Sequence, residues 1–170
     1  MEKQKVKVLN KSGNELPSYA KEGDAGFDIR ADFTGKEKTE DFIGEDFRFN
    51  PETRDLILLA RGGRVLIPSG LHIKLPDGYE LQIRPRSGLA LKHGISMVNT
   101  PGTIDQGYSG NIGLIVINTG KHDFVIQEGD RMGQGILNKV AQVEWVSVDT
   151  IEELGESERG QSGYGQSGIK

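Results

Sequence analysis

Residues 71–83 read Leu71-His72-Ile73-Lys74-Leu75-Pro76-Asp77-Gly78-Tyr79-Glu80-Leu81-Gln82-Ile83, with an alternating segment on each side of a turn sequence. Apolar side chains recur at every second position in both segments, which is typical of half-buried β-strands. Proline presets one backbone angle and glycine accepts a positive one, so Pro-Asp-Gly favours a tight turn. The stretch therefore predicts two strands separated by a turn.

The same pattern extends along the chain. Further short runs rich in Val, Ile and Leu occur at residues 5–9, 65–68, 113–117 and 124–126. No long window has helical periodicity, although a short helix is predicted near Ser87–Lys92 with Ser87 as its cap. A second short helix is predicted from Pro51 to Leu59, with Asn50 as N-cap. The pattern predicts an all-β fold, either a sandwich, a jelly roll or a barrel.

Bulk properties exclude several classes of function. The chain has 170 residues, no cysteine and a net charge of -4. This length suits one domain with a real core, and without cysteine there is neither a disulfide frame nor a thiolate metal site. A nucleic-acid polymer as partner would need a basic face. Because no run resembles a signal peptide or is long enough for a bilayer, we expect a cytoplasmic protein with no membrane association.

Three regions differ in composition. Residues 1–32 and 64–146 carry the strand pattern of a domain predicted to span residues 1–146, and residues 147–170 are predicted as a C-terminal arm. Residues 33–63, an inserted subdomain, are dense in charge of both signs and contain Phe42, Phe47 and Phe49. They are either a structured segment that packs its phenylalanines on the main core, or a partner-binding module.

The end of the arm, residues 159–170, has almost nothing to bury. It combines Arg159 and Tyr164 with repeated glycine and serine. Glycine lets backbone N–H groups approach an anion, arginine can grip phosphate oxygens as a fork, and tyrosine can lie flat on a base. Such a tail is either a disordered end or a flexible lid over a nucleotide triphosphate, and the rest of the chain favours the lid.

Five short segments are dense in Gly, Asp, Arg and Ser. They are residues 24–29, 84–90, 99–110, 129–134 and 159–170. In this order and spacing they resemble the motifs of the trimeric dUTP pyrophosphatase (dUTPase) family, and only residues 33–63 fall outside the resemblance. The resemblance implies a homotrimer of jelly-roll subunits that hydrolyses dUTP to dUMP and pyrophosphate. It also implies that one chain supplies motifs one, two and four to each site, another supplies motif three, and the third supplies the tail.

The phosphate side of the predicted site comes from the first, second and fourth motifs. Arg86-Ser87-Gly88 suits phosphate, because a hydroxyl and free N–H groups at a helix start bind anions. The resemblance implies that Ser87 contacts the bridge between the α- and β-phosphates and that Gln134 lies near the phosphates. For Arg131, a buried salt bridge is the alternative to a phosphate-facing role.

Asp28 is the predicted link to a metal ion. A buried Asp close to phosphates is usually paired or near a metal. The resemblance implies that Asp28 supports a triphosphate-bound Mg²⁺ cofactor indirectly, through the waters of the metal.

The base side of the predicted site is the third motif, residues 99–110, which we expect to form a β-hairpin. The resemblance implies that Asn99 and the backbone of Gly102, Thr103 and Ile104 hold uracil. It also implies that Tyr108 lies under the deoxyribose and excludes a 2′-hydroxyl. Asp105 is the predicted catalytic carboxylate, which orients the water that attacks the α-phosphorus.

The tail contributes the remaining predicted substrate contacts. The resemblance implies that Arg159 clamps the terminal phosphate and that Tyr164, where the family commonly has Phe, stacks on uracil. The predicted substrate-binding residues of the tail are Arg159, Tyr164, Gly165, Gln166 and Ser167. Gln166 departs from the serine that is common in the family.

The sequence is also compatible with two functions other than dUTP hydrolysis. A dCTP deaminase shares the fold and much of the site, but such enzymes tend to have a second serine where this chain has Gly88. A regulatory binding protein is the other alternative, because some temperate-phage dUTPases carry an extra insert and bind repressor proteins. Residues 33–63 match that insert in position and character.

Overall fold

The computed structural model describes residues 2–155. It divides the chain into a compact unit, Met1–Val140, and a second unit, Ala141–Lys170. The first unit contains two antiparallel β-sheets and one short helix, α1 (Ser87–His93). The larger sheet consists of β1 (Lys7–Asn10), β3 (Gly44–Phe49), β4 (Leu56–Lys74), β6 (Ile95–Met97), β8 (Asn111–Asn118) and β9 (Phe124–Gln127). The smaller sheet consists of β2 (Phe27–Arg30), β5 (Tyr79–Pro85), β7 (Gly102–Ile104) and β10 (Arg131–Lys139).

The two sheets share one hydrophobic core. The smaller sheet has the order β2-β10-β5-β7, and the larger has the order β1-β4-β8-β6, with β3 and β9 also paired to β4. Ile29 and Ile83 from the smaller sheet and Ile67 and Leu114 from the larger one are buried in the same cluster. This arrangement is a β-sandwich, so the predicted all-β class is confirmed.

The predicted strand runs are confirmed. The two alternating segments of residues 71–83 lie at the end of β4 and the start of β5, which belong to different sheets. The turn at Pro76-Asp77-Gly78 therefore carries the chain from one layer of the sandwich to the other. Gly78 has a φ of 77°, the conformation that makes glycine favourable there.

The predicted helix after β5 is confirmed, but its predicted cap is wrong. The N-cap residue is Arg86, whose backbone is extended with φ -87° and ψ 125°, and Ser87 is already the first helical residue. The helix ends at Gly94, which has a left-handed φ of 70° and returns its N–H to the carbonyls of Ala90 and Leu89. A glycine in this conformation is a common helix stop.

The second predicted helix, from Pro51 to Leu59, is wrong. Asn50 does accept the N–H groups of Glu52 and Thr53 through Oδ1, as a helix cap would. The turn stops at Arg54, which has a positive φ of 56°, and β4 begins at Leu56. Because this start of β4 lies between β3 and β9 and pairs with both, tertiary pairing overrides the local helical preference.

The phenylalanines of residues 33–63 are part of the core. Phe42 and Phe49 are 7% and 3% exposed. Their rings pack edge-on against Phe33, with ring centres 5.6 Å and 5.8 Å apart. The interpretation in which these phenylalanines pack on the main core is therefore confirmed, and the segment adds β3 to the larger sheet.

The second unit is described as far as Gly155. It contains a short 3-10 helix, Glu152–Leu154, and the side chains of Val143, Trp145 and Val146 are exposed. Within residues 2–155, no helix combines the length and apolarity that a membrane span requires. The predicted tail contacts, namely Arg159, Tyr164, Gly165, Gln166 and Ser167, lie outside the described residues.

Candidate active site

Asp28 lies at the centre of a cluster of charged side chains on the smaller sheet. Strand pairing puts Asp28, Gln134 and Arg84 in one row across β2, β10 and β5. Oδ1 of Asp28 lies 3.1 Å from Nε of Arg86 in a salt bridge and accepts the amide of Gln134 at 3.4 Å. Oδ2 accepts Nη1–H of Arg131 at 3.3 Å. Asp28 is therefore paired with arginines, which is one of the two environments expected for it.

Arg86 connects the start of α1 to β10. In addition to its contact with Asp28, it donates through Nη1 to the backbone oxygen of Arg131 at 2.8 Å. Its side chain is 27% exposed, whereas that of Arg131 is 52% exposed. Arg131 therefore forms the salt bridge of the alternative interpretation, but in the single chain that salt bridge is only partly buried. Two guanidinium groups against one carboxylate leave the cluster net positive, which favours an anionic ligand.

An open cleft of about 300 Å³ borders this cluster. Its walls are the loop at residues 18–26, Asp28 and Gln134. A Cβ added to Gly26 would lie 3.3 Å from the Ile136 side chain, so glycine lets this loop lie close to β10. A ligand in the cleft would contact the polar side of the smaller sheet.

Ser87 and Gly88 are exposed at the start of α1. A Cβ added to Gly88 would meet nothing within 4 Å, so packing within the described chain does not require a glycine there. The N–H groups in the first turn of a helix lack helical partners and can bind a ligand. Space for a Cβ also means that the backbone would accept the serine that is common in dCTP deaminases.

The third motif is not a β-hairpin. β7 pairs with β5 in the smaller sheet, whereas β8, the next strand, pairs with β4 and β6 in the larger sheet. The prediction was wrong because each strand finds its partner elsewhere in the chain. What joins them is a turn at Asp105–Tyr108, closed by the N–H of Tyr108, which donates to the Asp105 backbone oxygen at 3.0 Å.

This turn is held from several sides. Gln106 donates through Nε2 to Oδ1 of Asp77 at 2.6 Å and accepts the N–H of Gly78 at 3.3 Å through Oε1. Tyr108 donates its hydroxyl to the backbone oxygen of Asn111 at 2.8 Å. The ring of His72 is 3.0 Å from the backbone oxygen of Ser109 through Nδ1.

The predicted base-binding residues precede this turn. The Asn99 amide nitrogen would be 3.2 Å from a Cβ added to Gly102, so the asparagine lies directly against the glycine. Thr103 is exposed on β7, whereas Ile104 packs partly against the core. Asp105 is exposed, and within the described chain the hydrogen bonds of the turn use its backbone oxygen and leave its carboxylate free.

One chain brings together only part of the predicted site. Asp28, Arg86, Gln134 and the start of α1 meet at the end of β5. Asp105 follows Ile104, which pairs with Leu81 near the beginning of β5. At about 3.3 Å per residue, Ser87 and Asp105 are on the order of 20 Å apart along the strand direction. Within one copy of the chain they cannot reach the same phosphorus atom.

Two contacts of the candidate site could not be predicted from the sequence. The pairing of Gln106 with Asp77 joins two turns that are distant in sequence, and no local pattern predicts it. The contact of Arg86 and Arg131 with one carboxylate is similarly non-local. Only the positions of Gln106 and Asp77 in the sequence could have suggested their hydrogen bond. Gln106 directly follows Asp105, and Asp77 lies in the Pro76-Asp77-Gly78 turn.

The cluster does not fit a directly chelated metal ion. Both oxygens of Asp28 are within 3.4 Å of cationic or amide donors. Across residues 2–155, His, Cys, Asp and Glu form no group of three or more that could hold a metal. A hydrated ion carried by a triphosphate does fit, because Mg²⁺ commonly keeps its waters and binds through phosphate oxygens.

The fold and the cluster define a β-sandwich that carries a net positive side-chain cluster beside an open cleft. The family model for dUTPase matches residues 51–168. The deoxyuridine 5'-triphosphate nucleotidohydrolase of Fusobacterium nucleatum is 44% identical over 168 residues, which cover 99% of each chain. The chain belongs to the dUTPase family, and it is an enzyme that hydrolyses dUTP.

Solved structures of phage enzymes share the fold. A mutant dUTPase of Staphylococcus bacteriophage 80alpha with dUpNHpp matches with a TM-score of 0.76 at 20% identity, covering 98% of this chain and 100% of that one. A mutant dUTPase from phage phi11 of S. aureus, in which a structural Mg(II) ion is coordinated, has a TM-score of 0.67 at 19% identity. That match covers 88% of this chain and 99% of the other.

Proposed function

We propose that Asp105 orients and deprotonates the water that attacks the α-phosphorus of dUTP, releasing dUMP and pyrophosphate. The observation that carries this role is an exposed carboxylate with no partner among the described residues, on a turn that is otherwise held firmly. A general base must be free to accept a proton and must be held in place. In-line displacement then needs little else from the protein beyond positioning and charge stabilisation.

We further propose that Arg86, Ser87, Gly88 and Gln134 bind the triphosphate. Arg86 and Gln134 contact the same carboxylate oxygen of Asp28, and Asp28 and Gln134 line the open cleft. The net positive charge of the cluster offsets phosphate charge, and the exposed start of α1 offers free N–H groups.

We propose that the third motif, residues 99–110, selects the base and the sugar of the substrate. Asn99 and the backbone of Gly102–Ile104 would bind the uracil edge, and Tyr108 would contact the deoxyribose. The Tyr108 ring is fixed through the hydrogen bond of its hydroxyl to Asn111, which suits a surface that excludes a 2′-hydroxyl. Hence UTP should be a much poorer substrate than dUTP.

A Mg²⁺ ion would be held by the substrate phosphates, with Asp28 reaching it through water. When bound, the ion neutralises charge on the triphosphate. Asp28 also keeps Arg86 and Arg131 in place, so its loss would disturb two arginines as well as the metal contact.

We propose a homotrimer with shared sites. It is supported by the separation of Ser87 and Asp105 at opposite ends of β5, which a second copy of the chain overcomes. The tail residues Arg159, Tyr164, Gly165, Gln166 and Ser167 would complete the site from a third copy. We place the enzyme in the cytoplasm, where its nucleotide substrate is handled.

The proposal that each active site contains residues of different chains can be tested by complementation. Asp105→Asn and Arg86→Ala variants, each strongly impaired alone, are unfolded together and refolded as a mixture. Mixed assemblies would contain sites with both native residues, so part of the activity should return. No recovery in assemblies shown by mass spectrometry to be mixed would mean that each site lies within one chain.

The reaction itself is tested by turnover in H₂¹⁸O. Attack at the α-phosphorus places the label in dUMP, whereas label in pyrophosphate would contradict the mechanism. Assays with dCTP in parallel separate dUTP hydrolysis from deamination, and a titration with EDTA and then Mg²⁺ tests the metal requirement.

We propose, as a second function, that residues 33–63 present a docking surface to a repressor-type protein. Phe42 and Phe49 cannot be its anchors because they are buried. The supporting observation is that Ile43 is 74% exposed and that Leu58 and Val125 form an exposed cross-strand pair. The test compares binding of repressor proteins by the parent chain and an Ile43→Ser, Leu58→Ser variant. Equal binding by both would contradict this function.

A further inference from the structure

Gln106 joins the turn that carries Asp105 to the turn between β4 and β5. Its side chain uses both ends of the amide, since Nε2 donates to Asp77 Oδ1 at 2.6 Å and Oε1 accepts the Gly78 N–H at 3.3 Å. Its backbone oxygen accepts Nζ–H of Lys74 at 3.3 Å. Gln106 is half-buried, whereas Asp77, Gly78 and Lys74 are exposed. We call this set of contacts the Gln106 tether.

The tether acts on the residue that matters most for the proposed chemistry. Asp105 precedes Gln106 directly, so the orientation of the Gln106 peptide limits where the Asp105 carboxylate can point. Beyond Gln106, the turn is closed by the bond between Tyr108 N–H and the Asp105 oxygen, a contact within the same turn. Between Asp105 and Gly107, the described side-chain hydrogen bonds to the rest of the fold are those of Gln106, while the Tyr108 hydroxyl holds the other end of the turn at Asn111.

We propose that Gln106 is a positioning residue that holds the Asp105 carboxylate in line with the substrate through Asp77 and Gly78. This inference rests on the proposed role of Asp105. A turn displaced by about 1 Å can cost a large rate factor even when binding is retained, because in-line attack depends on orientation. Loss of the tether should therefore lower kcat while leaving KM nearly unchanged.

The decisive variants exchange amide and carboxylate. Gln106→Glu places a second carboxylate against Asp77, and repulsion between them should open the tether. In the double variant that also carries Asp77→Asn, the new amide at position 77 can donate to one oxygen of the new carboxylate at position 106. The Gly78 N–H can still donate to the other oxygen of that carboxylate. Asp77→Asn alone retains an oxygen that accepts from the Gln106 amide.

We expect kcat for Gln106→Glu to fall about tenfold with KM changed by less than about twofold. The double variant should return to within about twofold of the parent kcat, and Asp77→Asn alone should stay close to it. Gln127→Ala, which removes an exposed glutamine from β9, is the matched control and should be unchanged. Melting temperatures should not follow kcat across the series.

Two results would overturn the inference. One is an unchanged kcat in both Gln106→Glu and Gln106→Ala. The other is a loss in Gln106→Glu that Asp77→Asn fails to rescue, because that would mean the glutamine acts without Asp77. An Asp105→Asn variant with normal turnover would instead refute the proposed role of Asp105 itself, so the two failures are distinguishable.

Discussion

The Asp28 cluster and residues 33–63 are both rich in charge, but they use it differently. In the cluster, three segments distant in sequence bring Arg86 and Arg131 onto one carboxylate whose side chain is 24% exposed. In residues 33–63, the pair Arg54–Glu37 joins side chains that are 57% and 70% exposed, and the buried side chains are apolar ones such as Phe42, Phe49 and Ile57. Exposed pairs of this kind contribute about 0–1 kcal/mol. Charge density alone therefore does not indicate a site, whereas convergence of distant charges beside a cleft does.

The largest expected effect is on activity, at Arg86. Arg86→Ala should lower kcat/KM by about 10²–10³, because it removes a charged donor from the phosphate side of the site. Arg86→Lys should recover only part of this, because lysine keeps the charge but lacks the planar fork through which Nε and Nη1 of Arg86 contact Asp28 and the Arg131 backbone. Steady-state kinetics with dUTP measure both variants.

The control for Arg86→Ala is a variant in residues 33–63. Arg54→Ala removes an arginine of residues 33–63 that is also paired with a glutamate. Its kcat/KM should stay within about twofold of the parent value, since its pair is exposed. Equal losses at Arg86 and Arg54 would show that the two charged regions are not functionally different.

The second effect is on stability, at Phe49. Phe49→Ala should lower the free energy of unfolding by about 3 kcal/mol, because the ring is 3% exposed and packs on Phe33 and Phe42. Phe47→Ala, on the same strand but only partly buried, should cost less. Denaturant unfolding measures both. The kcat of the folded Phe49→Ala protein should match the parent, and a large loss would mean that residues 33–63 take part in catalysis.

The fold could be predicted where a local pattern determines it. The alternation in residues 71–83 and 113–117 predicts strands because one face of each must be buried. The run Leu56–Leu59 has no such alternation, and only its partners on β3 and β9 decide that it is a strand. The hairpin predicted at residues 99–110 failed for the same reason, because β7 and β8 pair in different sheets.

The sequence could suggest which residues form the candidate site but not how those residues contact one another. Motif resemblance identified Asp28, Arg86 and Gln134 separately. Their convergence depends on the register between β2, β10 and the end of β5, which no single segment encodes. The Gln106 tether depends likewise on where two turns of the sandwich meet.

The smallest effect concerns Glu128, which contacts residues 33–63 at Phe33 and at Asp55. Its carboxylate accepts the Phe33 N–H, and its own N–H donates to the Asp55 oxygen. Partial burial raises the pKa of Glu128 above its ordinary value of 4.5, and the charge of Asp32 adds to this, while the hydrogen bond from Phe33 opposes it. The folded protein therefore holds the proton more tightly than the unfolded chain.

The sign of the resulting pH dependence follows from linkage. A raised pKa means that the contribution of Glu128 to stability is fully present below its ordinary pKa and is lost as the pH rises through the raised value. Glu128→Gln keeps an oxygen that can accept from Phe33 but carries no charge. The stability of the variant relative to the parent should therefore increase as the pH rises above 4.5, the ordinary pKa of a glutamate. Glu52→Gln, at an exposed glutamate of residues 33–63, corrects for the change in net charge. If both variants differ from the parent by the same amount at every pH, the charge on Glu128 does not destabilise the folded protein.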